Sequence, residues 1–198
     1  MEKFFIIIMA LTSISALTFI IERGLALRWS RVIPRSVETA LEACRTGHDR
    51  PMLRRVCEQN PSPFSRLLLV AEQNLDQPRE DNESALQNRA RHEVVQLERG
   101  LVFLEIVVGI APLLGLVGTI YGMMTLFGGL GRTGLSDNTV LAAGIAIILQ
   151  FTMMGLLIAI PSLIAWSYYS KKVENLAVEM EILCVEFLRR QYRDQSRK

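Results

Sequence analysis

"APLLGLVGTIYGMMTLF", Ala111 to Phe127, decides the fold. The stretch is apolar enough to dissolve in lipid and carries no charge, yet it holds one proline, three glycines and two threonines. Such residues weaken a helix in water but are tolerated in lipid, where neighbouring helices re-satisfy any freed backbone group. The uncharged run around it extends from Ile106 to Gly131, and Phe4 to Ile21 and Thr139 to Ser170 form two more. Each exceeds the roughly 18 residues that mark a membrane-crossing helix. The reading is an all-α membrane protein with three transmembrane helices.

The rest of the chain supports this division. Half of its 198 residues are hydrophobic and the net charge is only +2, but the apolar residues are gathered in blocks and the charges lie between them. The first block could be a signal peptide, since Lys3 precedes it. Against that, Ser13-Ile14-Ser15-Ala16 sets a bulky Ile where a cleavage site wants a small residue, and Leu17 to Ile21 continues apolar up to Glu22 and Arg23. It reads as a retained span. Arg23, Arg28, Arg31 and Arg35 follow it while Lys3 precedes it, and Lys171 and Lys172 follow the third run, which sets the N-terminus outside and the C-terminus inside. The expected organisation is transmembrane helix 1 over 1–22, a cytoplasmic helical domain over 23–104, spans two and three over 105–170 around a short external turn at 128–138, and a cytoplasmic C-terminal helix over 171–198.

Cys44, Cys57 and Cys184 are odd in number and fall in the cytoplasmic segments, where thiols stay reduced. Cys44 and His48 have metal-ligand spacing, but no further ligands accompany them, so apolar packing of Cys44 is the expectation, with no metal and no cofactor.

The polar segments carry helical stripes. Ser36 is placed to cap a short helix with Val37, Ala40, Leu41 and Cys44 on one face, ending near Gly47, and a second short helix is expected from Pro51 to Glu58. In "PSPFSRLLLVAEQNL", Ser62 caps, Pro63 opens the helix, and Phe64, Leu67, Leu68, Ala71 and Leu75 form the stripe. Leu86, Ala90, Val94, Leu97, Leu101 and Leu104 then run at helical spacing into span two. Val173, Leu176, Met180, Leu183 and Phe187 continue span three into the tail, so spans two and three are expected to extend as long cytoplasmic helices. These stripes serve as local core or as contacts between subunits. The chain ends in a basic tail, Arg189, Arg190, Arg193, Arg197 and Lys198, read as a solvated helix end.

Without a hydrophobic drive between helices in lipid, small residues allow close backbone approach. Gly118 and Gly122 form G-x-x-x-G, Ala111 and Gly115 extend the small face, Thr119 lies on it, and Pro112 is placed to kink the helix. Span three repeats the device with Thr152, Gly155, Ala159 and Ser162, and has Pro161 late in the helix. Two uses fit such stripes, plain helix packing and a polar pathway. Packing through Gly118 and Gly122 is expected to hold copies of the chain together.

"APLLGLVGTIYGM" resembles the second-span signature of the MotA/TolQ/ExbB family of proton-channel subunits, and "TMMGLLIAIPS" resembles its third-span pattern of Thr, then Gly-Leu, then Ala-Ile-Pro. The Glu22-Arg23 pair and the "PSPFSRLL" helix are also similar to ExbB and TolQ, so the resemblance covers nearly the whole chain in order. It implies a multi-pass protein of a Gram-negative inner membrane with a periplasmic N-terminus. It implies further a homopentamer whose pore holds the single transmembrane helices of an ExbD- or TolR-like partner bearing an intramembrane Asp. Proton motive force would drive motion that a TonB- or TolA-like protein carries outward. Thr119 and Thr152 match the family's pore-lining threonines, and Pro112 its second-span proline. The sequence departs from the pattern where ExbB and TolQ usually carry a Glu, in "GIA-E-A-L": here "GIAIIL" has Ile147, and Gln150 points away from the threonine face.

The expected function is thus an ExbB/TolQ-like motor subunit, and the alternative is a membrane scaffold that uses the same packing stripes without proton conduction. No enzyme is expected, since no clustered acid, base, nucleophile or metal set occurs. No nucleic acid is expected among the partners, which are the lipid bilayer, further copies and the single-span protein.

Overall fold

The computed structural model describes residues 2–44, 49–133 and 138–195, and every regular element among them is a helix. In chain order these are α1 (Glu2–Ala26), α2 (Trp29–Val32), α3 (Arg35–Ala43), α4 (Arg50–Gln59), α5 (Pro63–Gln73), α6 (Arg79–Glu98), α7 (Leu101–Thr133) and α8 (Asn138–Gln195). Three of them, α1, α7 and α8, are long and apolar enough to cross a membrane. The chain separates into one unit of Met1–Arg23 with Gly100–Tyr168 and another of Gly24–Arg99 with Tyr169–Lys198, α8 contributing to both.

In the first unit α1 runs antiparallel to α7. Phe19 stacks on Phe103 with ring centres 4.1 Å apart, and at the other end Phe5 lies 5.6 Å from Tyr121 and 6.5 Å from Phe151. Between these aromatic contacts Ala16 packs with Val107, Ala111 and Ala159, small residues that let three helices meet. The hydroxyls of Thr12 and Thr18 donate to the carbonyls of Ile8 and Ile14, both at 2.8 Å, so neither hydroxyl needs water there. The outward faces carry Leu11, Ile14, Leu113, Leu116, Ile120, Leu157 and Ile164, all exposed. A face of that size would aggregate in water and is ordinary in lipid.

The second unit is a helical bundle built around α5. Phe64, Leu67, Leu68, Ala71 and Leu75 are all buried, packed with Val37 and Leu41 of α3, Leu53 of α4, Leu86 of α6, and Leu176, Met180, Phe187 and Leu188 of α8. Ser62 caps α5 by accepting from the Ser65 backbone N–H at 3.1 Å, and Pro63 follows at the first helical position, where its missing donor costs nothing. Glu93 is fully buried on α6, and Arg66 of α5 grips its carboxylate with two donors while Arg89 adds a third contact at 2.7 Å. Burial pushes the Glu93 carboxyl up, but the Arg66 hydrogen bonds and the charges of Arg66, Arg89 and His92 outweigh it and hold it below its ordinary value. Asn82 donates to the Ala71 carbonyl at 2.9 Å and to the Tyr192 hydroxyl at 3.2 Å, which itself donates to the Gln77 carbonyl at 2.9 Å.

Local boundaries differ from the sequence reading in four places. The helix expected to start after Ser36 starts at Arg35, with Pro34 at the cap and no side-chain cap bond. It ends at Ala43, and Gly47 and His48 lie outside the described residues. The helical path into the second span is interrupted at Arg99 and Gly100, between α6 and α7. The cause is local: a Cβ on Gly100 would sit 1.9 Å from Arg23 Nε, so only glycine lets the guanidinium lie there, and glycine is a poor helix former. Finally, the expected turn at 128–138 is helical through Thr133 and again from Asn138, and residues 134–137 lie outside the described set. The apolar side chains from Leu126 back along α7 give the backbone no reason to stop at Gly128.

Candidate functional site

The site is the seam between α7 and the first half of α8. Spacings of three and four put Ala111, Gly115, Gly118 and Gly122 on one face of α7. Facing them, α8 presents Ile148, Phe151, Thr152, Gly155 and Ala159. Closest approach is at Gly115 and Gly155. A Cβ on Gly155 would be 2.7 Å from the Ala111 carbonyl oxygen and 3.2 Å from Gly115 Cα, and one on Gly115 would be 2.9 Å from the Phe151 carbonyl oxygen and 3.2 Å from Thr152 Cα. Backbone meets backbone there, and no side chain could give way.

Further along, bulk replaces backbone. The Phe151 ring covers Gly118, 2.9 Å from where a Cβ would be, and the Ile148 side chain covers Gly122 at 2.7 Å. Within the chain, side chains of α8 thus lie over both glycines that the sequence reading assigned to contacts between copies. The sequence reading missed Phe151 and Ile148, although their spacing of four and seven from Gly155 placed them on the small stripe's own face.

The two threonines border this seam. Thr119 is half-buried, next to Gly118 and one turn from Gly115, and its hydroxyl donates to the Leu116 carbonyl at 2.7 Å. Thr152 is half-buried beside Gly115. Gln150 is exposed on another side of α8, and Ile147 is exposed as well. Pro112 is half-buried and Pro161 exposed; α7 and α8 continue as helices through them. Ser162, one residue past Pro161, is buried and donates to the Ile158 carbonyl at 2.7 Å.

The electrostatics of the seam are set by what it contains. No carboxylate, amine, guanidinium or imidazole occurs between Glu105 and Arg132 or between Asp137 and Lys171. The polar side chains bordering it are the Thr119 and Thr152 hydroxyls, and hydroxyls both donate and accept. The arrangement can solvate a charge supplied from outside, and it cannot by itself hold a proton at an ordinary pKa.

Elsewhere the reactive groups are quiet. Cys44, Cys57 and Cys184 are buried thiols of the second unit outside any disulfide among the described residues, and burial pushes each thiol up, that of Cys57 to about 12, so all three stay protonated. Among the described residues no group of three His, Cys, Asp or Glu side chains could hold a metal ion.

Comparison with known proteins follows the same stretch. Residues 33–182, which begin after α1 and take in both sides of the seam, match the model described as the MotA/TolQ/ExbB proton channel family. The Tol-Pal system protein TolQ of Pseudomonas aeruginosa is 30% identical over 178 residues, 83% of this chain and 76% of that one. The biopolymer transport protein ExbB of Helicobacter pylori is 33% identical over 45% of this chain and 61% of its own length. ExbB of Salmonella typhimurium is 30% identical over 62% and 53%. The chain thus spans less than two thirds of either ExbB relative. A family match that includes the whole glycine seam, together with a TolQ relative alike over most of both chains, means that this protein belongs to the MotA/TolQ/ExbB proton channel family.

Proposed function

We propose that this membrane protein is the ring-forming subunit of an inner-membrane motor of the ExbB/TolQ kind, converting proton motive force into work. Several copies, five by family resemblance, surround the single span of an ExbD- or TolR-like partner. That partner brings an Asp into the lumen, and a TonB- or TolA-like protein takes up the motion. The N-terminus is outside and the polar second unit is cytoplasmic, as the arginines after α1 require.

The observation that carries this reading is the seam itself: two half-buried threonines border backbone-to-backbone helix contact, in spans without an ionisable acid or base. A proton route through them needs an acid from elsewhere. With Ile147 in α8, span three offers no acid of its own. Threonine suits the neighbourhood of a titrating carboxylate. A fixed cation would trap the carboxylate in its charged form and a fixed anion would raise its pKa, whereas a hydroxyl serves both states.

Valine keeps threonine's shape and removes the hydroxyl. In cells carrying the partner, the Thr119→Val, Thr152→Val double variant should co-purify with it normally. It should lose about tenfold in proton-motive-force-dependent uptake or growth, the scale of one hydrogen bond to a charged group. Gln150→Ala should lose less. Full energised activity in the double valine variant would leave the packing role alone and favour the scaffold reading.

A further inference from the structure

The segment joining α1 to α3 is arranged in two faces. Leu27, Val32, Ile33 and Val37 are each at most 1% exposed, and the last three are part of the second unit's core, which fixes the segment's orientation. Arg28, Trp29, Ser30, Arg31, Arg35 and Ser36 are all exposed on the other side. No acidic residue occurs between Glu22 and Glu38. The side chains of Arg28, Arg31 and Arg35 make no ion pair among the described residues, although Arg23, Arg54, Arg66, Arg79, Arg89 and Arg190 all do.

Position follows from chain length. α1 continues five residues beyond Ile21, the end of its apolar run, to Ala26. At 1.5 Å per residue that is about 7.5 Å, the depth of a headgroup layer. Trp29, 43% exposed among these arginines, is the residue type enriched at that level. The guanidinium fork matches a phosphate with two donors, which an ammonium cannot do.

We propose that Arg28, Arg31 and Arg35, with Trp29 beside them, form a binding site for the phosphate headgroup of an anionic phospholipid of the bilayer. The site is independent of the motor reading and of which side of the membrane the segment occupies. It ties the start of the second unit to lipid, so that the helices following α1 are held against the membrane surface by charge.

Tryptophan quenching tests this on the full-length protein. Trp166→Phe leaves Trp29 as the only tryptophan of the two in the chain. The protein is reconstituted in phosphatidylcholine vesicles containing, at equal mole fraction, either brominated phosphatidylglycerol or brominated phosphatidylcholine. The expected result is that the anionic lipid associates about tenfold more strongly, that added salt reduces the ratio, and that Arg28→Gln, Arg31→Gln, Arg35→Gln brings it within about twofold of unity. The corresponding triple lysine variant should retain a preference weaker than the parent's. Equal quenching by the two lipids in the parent, or an unchanged ratio in the glutamine variant with normal helix content, would overturn the site. If the glutamine variant fails to fold, the parent's salt series and the lysine variant decide: a salt-insensitive ratio overturns it. Inorganic phosphate that abolishes the preference at an ionic strength where chloride does not would assign the site to soluble phosphate and overturn the lipid proposal.

Discussion

The two units of this chain are held together by opposite kinds of residue. The second unit buries large side chains, Phe64, Phe187, Leu67, Leu68 and Met180, and adds a buried carboxylate gripped by two arginines. The first buries Ala16, Ala111, Gly115, Gly118, Gly155 and Ala159 at its closest helix contacts, with Ile148 and Phe151 beside them, and leaves many of its large residues exposed, among them Leu11, Leu113, Leu116, Leu157 and Ile164. The difference comes from the solvent. In water, removing a phenyl ring from contact with solvent is itself the driving force. In lipid a leucine is already solvated, so stability comes from backbone proximity, which small residues permit.

That contrast is open to test, and the largest effect should come from the second unit. Phe64→Ala leaves a ring-sized hole at the centre of α5's packing and should cost about 3–5 kcal/mol in unfolding of the polar unit. Denaturant melts of the detergent-solubilised protein would read it, and a cost below about 1 kcal/mol would mean that Phe64 is not a core anchor.

In the first unit one added methyl group should do what a removed ring does in the second. Gly155→Ala sets a Cβ 2.7 Å from a backbone oxygen and should cost about 1–3 kcal/mol, seen as a lower melting temperature in detergent. Gly118→Ala meets the Cβ and Cγ of Phe151 at 2.9 Å, side-chain atoms and not backbone, and should cost less than Gly155→Ala. Reversal of that order would mean that the seam closes by side chains and not by backbone.

The smallest effect is the dependence on pH. Glu93 is held below its ordinary pKa in the folded protein, so its ionised form stabilises the fold at pH above its unfolded value of about 4.3. That contribution is lost as pH falls through the folded value. Glu93→Gln should therefore flatten the acid limb of the stability curve below about pH 4.5 and lower stability at neutral pH, where the arginines lose their counter-charge. An acid limb equal to the parent's would assign the acid sensitivity to other carboxylates.

Length, hydropathy and spacing are properties of single segments, and what depends on them was legible in the sequence alone. Three apolar runs exceed a bilayer's width, the stripe from Phe64 to Leu75 has a helix period behind a Ser-Pro start, and Thr119 and Thr152 lie on small faces because three and four residues return to the same side of a helix. Pairing is not such a property. That Phe151 and Ile148 fill the notches at Gly118 and Gly122, that Arg23 lies against Gly100, and that Arg66 meets Glu93 all depend on which distant segments meet. A glycine face specifies close approach without specifying the neighbour, because it offers space and no directional bond. Only the tertiary structure, by bringing α8 antiparallel onto α7 in one register, decided that the neighbour is this chain's own next helix.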